Sequence, residues 1–154
     1  MERKRLRLEG YDYTNQGGYF ITLCTKDRRP VLGTVVGADD YIGLHTRLSE
    51  YGRVAERYVQ GMQGVDQYVI MPNHIHIIVL ISSEVDGPMW SSAPTSVSQR
   101  IKTLKTLITK EIGAGIFQRS FHDHIIRSEA DYLRIAAYIR DNPAKWTEDQ
   151  YYVP

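Results

Sequence analysis

Eight consecutive residues, His74-Ile75-His76-Ile77-Ile78-Val79-Leu80-Ile81, limit the folds open to this chain more than any other segment. Side chains alternate faces along a strand, so His74, His76, Ile78 and Leu80 share one face and Ile75, Ile77, Val79 and Ile81 the other. Beyond the histidines both faces are apolar, the pattern of a central strand covered on both sides. Val65 to Met71 reads as a second strand, and Pro72-Asn73 between the two is a turn signal. Strands joined that tightly must be antiparallel neighbours.

Around this pair the pattern alternates. Tyr19 to Thr25 is rich in aromatic and β-branched residues and predicts a strand. Val31 to Leu44, with three glycines, predicts short strands or a hairpin. Ser49 to Met62 and Thr95 to Ile112 have helical apolar spacing, and Gly113 ends the second. Ser82 to Pro94, rich in serine with Gly87, Pro88 and Pro94, predicts an exposed loop. Phe117 to Arg127 predicts a further strand, and Ser128 caps a last helix that Pro143 stops. The expectation is one α+β domain over residues 1–154: a ferredoxin-like βαββαβ antiparallel sheet, helices on one face, and an extra C-terminal helix.

The chain has 154 residues, enough for one domain with a real core. Its longest apolar stretch, Ile75 to Ile81, is far too short to span a membrane. The basic start, Met1-Glu2-Arg3-Lys4-Arg5, has no apolar segment behind it, and Cys24 is the sole cysteine. Both features predict a cytoplasmic protein. Net charge is only +1, but residues 1–29 hold seven Lys/Arg against four Asp/Glu, and residues 95–119 five against one. Those two segments either form a phosphate-binding surface or are solvated faces.

Two imidazoles side by side on a rigid strand either pack or hold one metal ion in an open site that needs a further ligand. His122-Asp123-His124 is a rival pair, with a hydrogen-bonded surface role, a place in the cleft or a DNA contact all open to it; His45 reads as structural. In the last helix Asp131, Arg134, Tyr138 and Asn142 form a polar stripe, and Tyr132, Ile135, Ala136 and Ile139 an apolar one. Tyr138 thus stands outside the buried stripe. Asn142 precedes Pro143, which disfavours helical geometry, so its amide is placed either to cap the helix or to serve as the third ligand. A metal that polarises a phosphate, opposed by a tyrosine hydroxyl, is a set of parts for cutting a nucleic acid strand.

Four stretches carry a resemblance: Gly10-Tyr11-Asp12-Tyr13 through Tyr19-Phe20-Ile21-Thr22; Val69-Ile70-Met71-Pro72-Asn73-His74-Ile75-His76; Gln118 to Arg127; and Tyr138-Ile139-Arg140-Asp141-Asn142-Pro143-Ala144-Lys145-Trp146. With these the chain resembles the HUH single-tyrosine transposases, most closely the REP-associated tyrosine transposases (REP: repetitive extragenic palindromic element). The resemblance implies that His74 and His76 bind a divalent metal, Mg²⁺ or Mn²⁺, that Asn142 completes the site, and that Tyr138 is the nucleophile. It implies cleavage and rejoining of single-stranded DNA through a 5′-phosphotyrosine. The implied substrate is a DNA hairpin with a flanking single-stranded tetranucleotide, which would place the protein at the nucleoid. Arg100, Lys102 and Lys105 on the basic helix, Arg3, Lys4, Arg5 and Arg7 in the N-terminal arm, and Lys26, Arg28 and Arg29 are the expected DNA contacts. Insertion-sequence relatives are homodimers that exchange the tyrosine helix, whereas the REP-associated branch is expected to be monomeric. The alternative is a non-catalytic nucleic-acid-binding module of RNA-recognition-like topology.

Overall fold

In the computed structural model the described residues are 17–37, 43–81 and 96–154. The expected N-terminal basic arm and the Ser82 to Pro94 loop lie outside them. The main sheet has four strands: β1 (Gly17–Cys24), then, past a short separate hairpin of β2 (Gly33–Val36) and β3 (His45–Leu48), β4 (Val65–Met71), β5 (His74–Ile81) and β6 (His122–Ile126). The order across the sheet is β4-β5-β1-β6, and every adjacent pair is antiparallel. The helices are α1 (Glu50–Gly61), α2 (Val97–Ile112) and α3 (Glu129–Asp141), followed by a 3₁₀ helix, Pro143–Glu148.

The two-faced apolar run produces two layers. Ile75, Ile77, Val79 and Ile81 of β5 join Tyr19, Ile21 and Leu23 of β1 in a core with Ala55 and Val59 of α1 and Ile101, Leu104 and Ile108 of α2. On the opposite face Ile78 meets Ile135 and Ile139, with Phe20, Val69 and Ala136 packed around them. The apolar stripe of α3 therefore covers the sheet face that carries the histidines. This is why β5 lacks a polar face beyond His76.

Local signals set the helix ends. Ser49 Oγ accepts from the Gly52 amide at 3.1 Å, Ser96 Oγ from Gln99 at 3.1 Å, and Ser128 Oγ from Asp131 at 3.1 Å. Gly113 caps α2 in the left-handed region, at φ 85°. Gly52 is needed for close approach, since a Cβ there would overlap the Leu32 carbonyl. Gly52→Ala should cost about 1–3 kcal/mol through forced backbone shifts, read as a lower urea midpoint at unchanged slope.

Two expectations need correction. The strand expected over Phe117 to Arg127 is only His122–Ile126. Before it, Lys105 Nζ donates to the carbonyls of Gln118 and Arg119 at 2.8 and 2.9 Å, so those carbonyls bond to a helix side chain instead of a ladder. Only Phe117 bridges Thr25 there. Asn142, expected outside helical geometry, keeps φ −57° and ψ −46° and is 2 % exposed. Its carbonyl accepts from Lys145 at 3.1 Å, so the chain tightens into the 3₁₀ helix without fraying.

Candidate active site

The register of β5 against β1 sets His74 opposite Cys24 and His76 opposite Thr22. The two imidazoles are 0 % and 2 % exposed, with ring centroids 4.6 Å apart. Each uses Nδ1 to hold its orientation. His76 Nδ1 lies 2.8 Å from Thr22 Oγ1, and His74 Nδ1 lies 2.8 Å from Asn73 Oδ1. The Asn73 amide nitrogen donates to the carbonyls of Tyr151 at 2.7 Å and Arg28 at 3.2 Å, which leaves its oxygen facing His74. An oxygen accepts, so His74 carries its proton on Nδ1 and presents the lone pair of Nε2.

Both Nε2 atoms, together with Asn142 Oδ1, are buried without a hydrogen-bond partner. Three such orphans in one place are costly unless something supplies what they lack. Burial pushes His74 down to about 4, with the Asn142 side chain opposing it. Burial first, and His74 second, hold His76 well below the ordinary histidine range. Both rings are thus neutral at pH 7, the form that binds metal. The unfolded chain takes protons near pH 6.5 that folded His74 refuses, so its contribution to stability is present above about 6.5. That contribution is lost as pH falls toward about 4. Thermal melting should drop across that window.

Asp149 completes the group, and no motif in the sequence marks it. It lies just past the 3₁₀ helix, its amide bonded to the Trp146 carbonyl at 3.0 Å. Oδ1 accepts from the Tyr151 amide at 2.8 Å, and Oδ2 stands 3.7 Å from His74 Nε2, the carboxylate being 2 % exposed. Burial raises its pKa, against the Tyr151 amide and the Asn142 side chain. Ligand atoms of His74, His76 and Asp149 all lie within 4.8 Å of one another. Two neutral imidazoles, a carboxylate and an amide oxygen fit a divalent cation. Asn73→Ala should weaken metal binding about 10–100-fold by freeing the His74 ring, measured by calorimetric titration with Mn²⁺.

Tyr138 projects from α3 beside this group. Its ring is 5.2 Å from that of His76 and stands edge-on to Phe20 at 6.2 Å. It is 40 % exposed, so Tyr138 is not a core residue. Burial of its inner side raises its pKa; Asn142 opposes this and Asp149 adds to it. The described residues around it therefore do not favour the phenolate.

The cations expected on DNA are dispersed. Arg3, Lys4, Arg5 and Arg7 lie outside the described residues. Lys26, Arg28 and Arg29 are exposed in the turn after β1, with the Arg28 guanidinium 5.7 Å from the Tyr151 ring centroid. Lys102 is exposed on α2, while Lys105 is half-buried on its two carbonyls. Arg100 is 7 % exposed and donates to the Gln63 carbonyl at 2.6 Å, a placement that ties α2 to the turn before β4. His122 and His124 are exposed, and His124 pairs with Asp131 at 2.8 Å. His45 is exposed, with Nδ1 3.2 Å from the Gly43 carbonyl. No helix among the described residues is long and apolar enough to cross a membrane.

The site is thus a buried histidine pair with an acid, beside a tyrosine from a helix laid over an antiparallel sheet. No sequence-family model matches the chain. It is 30 % identical to an uncharacterised protein of Haemophilus influenzae, over 98 % of this chain and 93 % of that one. It is 28 % identical to a second protein of that organism, described as a "putative REP-associated tyrosine transposase", over 87 % of this chain and 74 % of the other. Among solved structures it is similar to a REP-associated tyrosine transposase bound to a REP hairpin. That likeness has a TM-score of 0.63 and 22 % identity, covering 94 % of this chain and 74 % of that one, and it shows a shared α+β fold. In sequence and in fold the chain is thus similar to REP-associated tyrosine transposases.

Proposed function

We propose that this chain is a metal-dependent endonuclease and strand transferase for single-stranded DNA. The observation that carries the reading is the convergence of three orphaned atoms, on His74, His76 and Asn142, beside the exposed Tyr138 phenol. His74, His76, Asp149 and Asn142 would hold the cation, Mg²⁺ or Mn²⁺. When bound, that ion supplies positive charge against the scissile phosphate and the departing oxygen. Phe20 and His76 border the Tyr138 ring, and the Asn142 side chain bonds its hydroxyl. Tyr138 Oη bonds to phosphorus as the bond from phosphorus to the 3′-oxygen breaks. The proton lost by the phenol is balanced by the one gained by the 3′-oxygen. The product is a 5′-phosphotyrosine and a free 3′-hydroxyl, and a strand end can reverse the step.

The order β4-β5-β1-β6 supports the ferredoxin-like split β-α-β reading. An RNA-recognition-like module would need an open sheet face for stacking bases, whereas Ile135 and Ile139 of α3 cover Ile78 there. Tyr138 and the histidines come from one chain, which supports a monomer; solution sizing checks this. The substrate is a REP-like DNA hairpin with an adjoining single strand. Incubation of the protein with such an oligonucleotide and Mn²⁺ should give an adduct that survives denaturing electrophoresis. Absence of any adduct across a panel of hairpins and flanks would overturn the reading.

A further inference from the structure

Beside Tyr138 the surface opens into a cleft of about 400 Å³ whose walls include Phe20, His122, His124, Arg134 and Tyr151. Its floor follows from register. β1 sets Thr22 between His76 on one side and His122 on the other, and Phe20 between Ile78 and His124. His76, Thr22 and His122 therefore form one row on the same face. With strands about 4.8 Å apart, His122 stands about 10 Å along that row from His76. Above it α3 carries Arg134 one turn before Tyr138, about 6 Å along the helix axis and on the same side.

Two polar groups of the cleft, His124 and Arg134, are held in place. Asp131 accepts from His124 Nε2 at 2.8 Å and from the Arg134 guanidinium, while its own amide bonds to Ser128 Oγ at 3.1 Å. The Asp131 carboxylate is 16 % exposed, whereas the Arg134 side chain is 68 % exposed. A guanidinium has five N–H donors, so Arg134 retains some for a ligand after meeting Asp131. The cleft thus combines a guanidinium and two imidazoles with the aromatic rings of Phe20 and Tyr151. A guanidinium and further N–H donors beside aromatic faces are what holds one unpaired nucleotide, its phosphate on the donors and its base on the rings.

We infer that this cleft is a subsite for the single-stranded nucleotide next to the bond that is cut, with Arg134 and His122 on its phosphate. The inference rests on the DNA-cleaving reading above. It assigns a role to the second histidine pair that the cation site does not use.

The test uses two fluorescein-labelled oligonucleotides: a REP hairpin cut flush, and the same hairpin with four unpaired nucleotides at its foot. Binding is followed by anisotropy over a salt series with Tyr138→Phe protein, so that no strand is cut. Adding Arg134→Gln and His122→Ala together should weaken the flanked probe about tenfold, as expected when a phosphate loses its guanidinium partner and an imidazole hydrogen bond. The slope of log affinity against log salt should flatten by about 0.7 for each phosphate no longer neutralised. The flush hairpin should bind as before. Both side chains are exposed, so melting temperature should hold. Unchanged affinity for the flanked probe, or an equal weakening on both probes, overturns the subsite. Adduct formation by the unmutated chain is read in parallel: if it succeeds while affinities are unchanged, only the subsite falls. If no adduct forms, the cleavage reading falls whatever the affinities do.

Discussion

Tyr138→Phe abolishes covalent attachment to DNA, lowering adduct yield by at least about 1,000-fold, the scale expected for loss of a nucleophile. The substitution removes one oxygen and keeps the ring, so the edge contact with Phe20 and the tilted contact with His76 remain. Tyr138 is 40 % exposed, and stability should change by no more than about 0.5 kcal/mol. Affinity for a flanked hairpin should stay within about twofold, because phosphate contacts elsewhere dominate it. The pairing of abolished chemistry with intact binding is what identifies a nucleophile. An adduct of undiminished yield would transfer the role to another hydroxyl, of which Tyr151, 4.5 Å from His74 by ring centroids, is the nearest rival.

His76→Ala removes the stabilisation that a divalent cation gives the native chain. At a Mn²⁺ concentration 100 times its Kd, a site present only in the folded state adds about 2.7 kcal/mol. For a chain of this size that is a rise of about 5–10 °C in Tm. Loss of one imidazole should weaken binding by more than about 100-fold, beyond the effect of an orienting neighbour. The same Mn²⁺ concentration then adds only about 0.4 kcal/mol, near 1 °C. The measurement needs no DNA, so it separates cation binding from cleavage. An equal rise in both proteins would place the ion elsewhere and leave the buried Nε2 atoms of His74 and His76 without an explanation.

Sequence and tertiary structure contributed different parts of this site. Period two along β5 sufficed to put His74 and His76 on one face, and period 3.6 along α3 sufficed to lift Tyr138 off the stripe of Ile135 and Ile139. The cap at Ser128 was readable because a cap bonds within three residues of itself, whereas Ser49 and Ser96, expected inside their helices, prove to be caps. The cationic residues were less well served. Arg100 and Lys105 fall in a basic segment, but whether such a side chain meets solvent depends on which carbonyls the fold brings to it.

What the chain's order of residues determined alone was everything periodic: the strand pair about Pro72-Asn73, the two-sided core, and which side chains share a face. Only the tertiary structure decided that Asn142 is buried, that Asn73 orients His74, and that Asp149 joins the histidines. Periodicity is a short-range property, set by backbone geometry within a few residues. Asp149 reaches His74 because the segment after the 3₁₀ helix returns to the turn between β4 and β5, where the Tyr151 carbonyl accepts from Asn73, and no local pattern records where a chain returns.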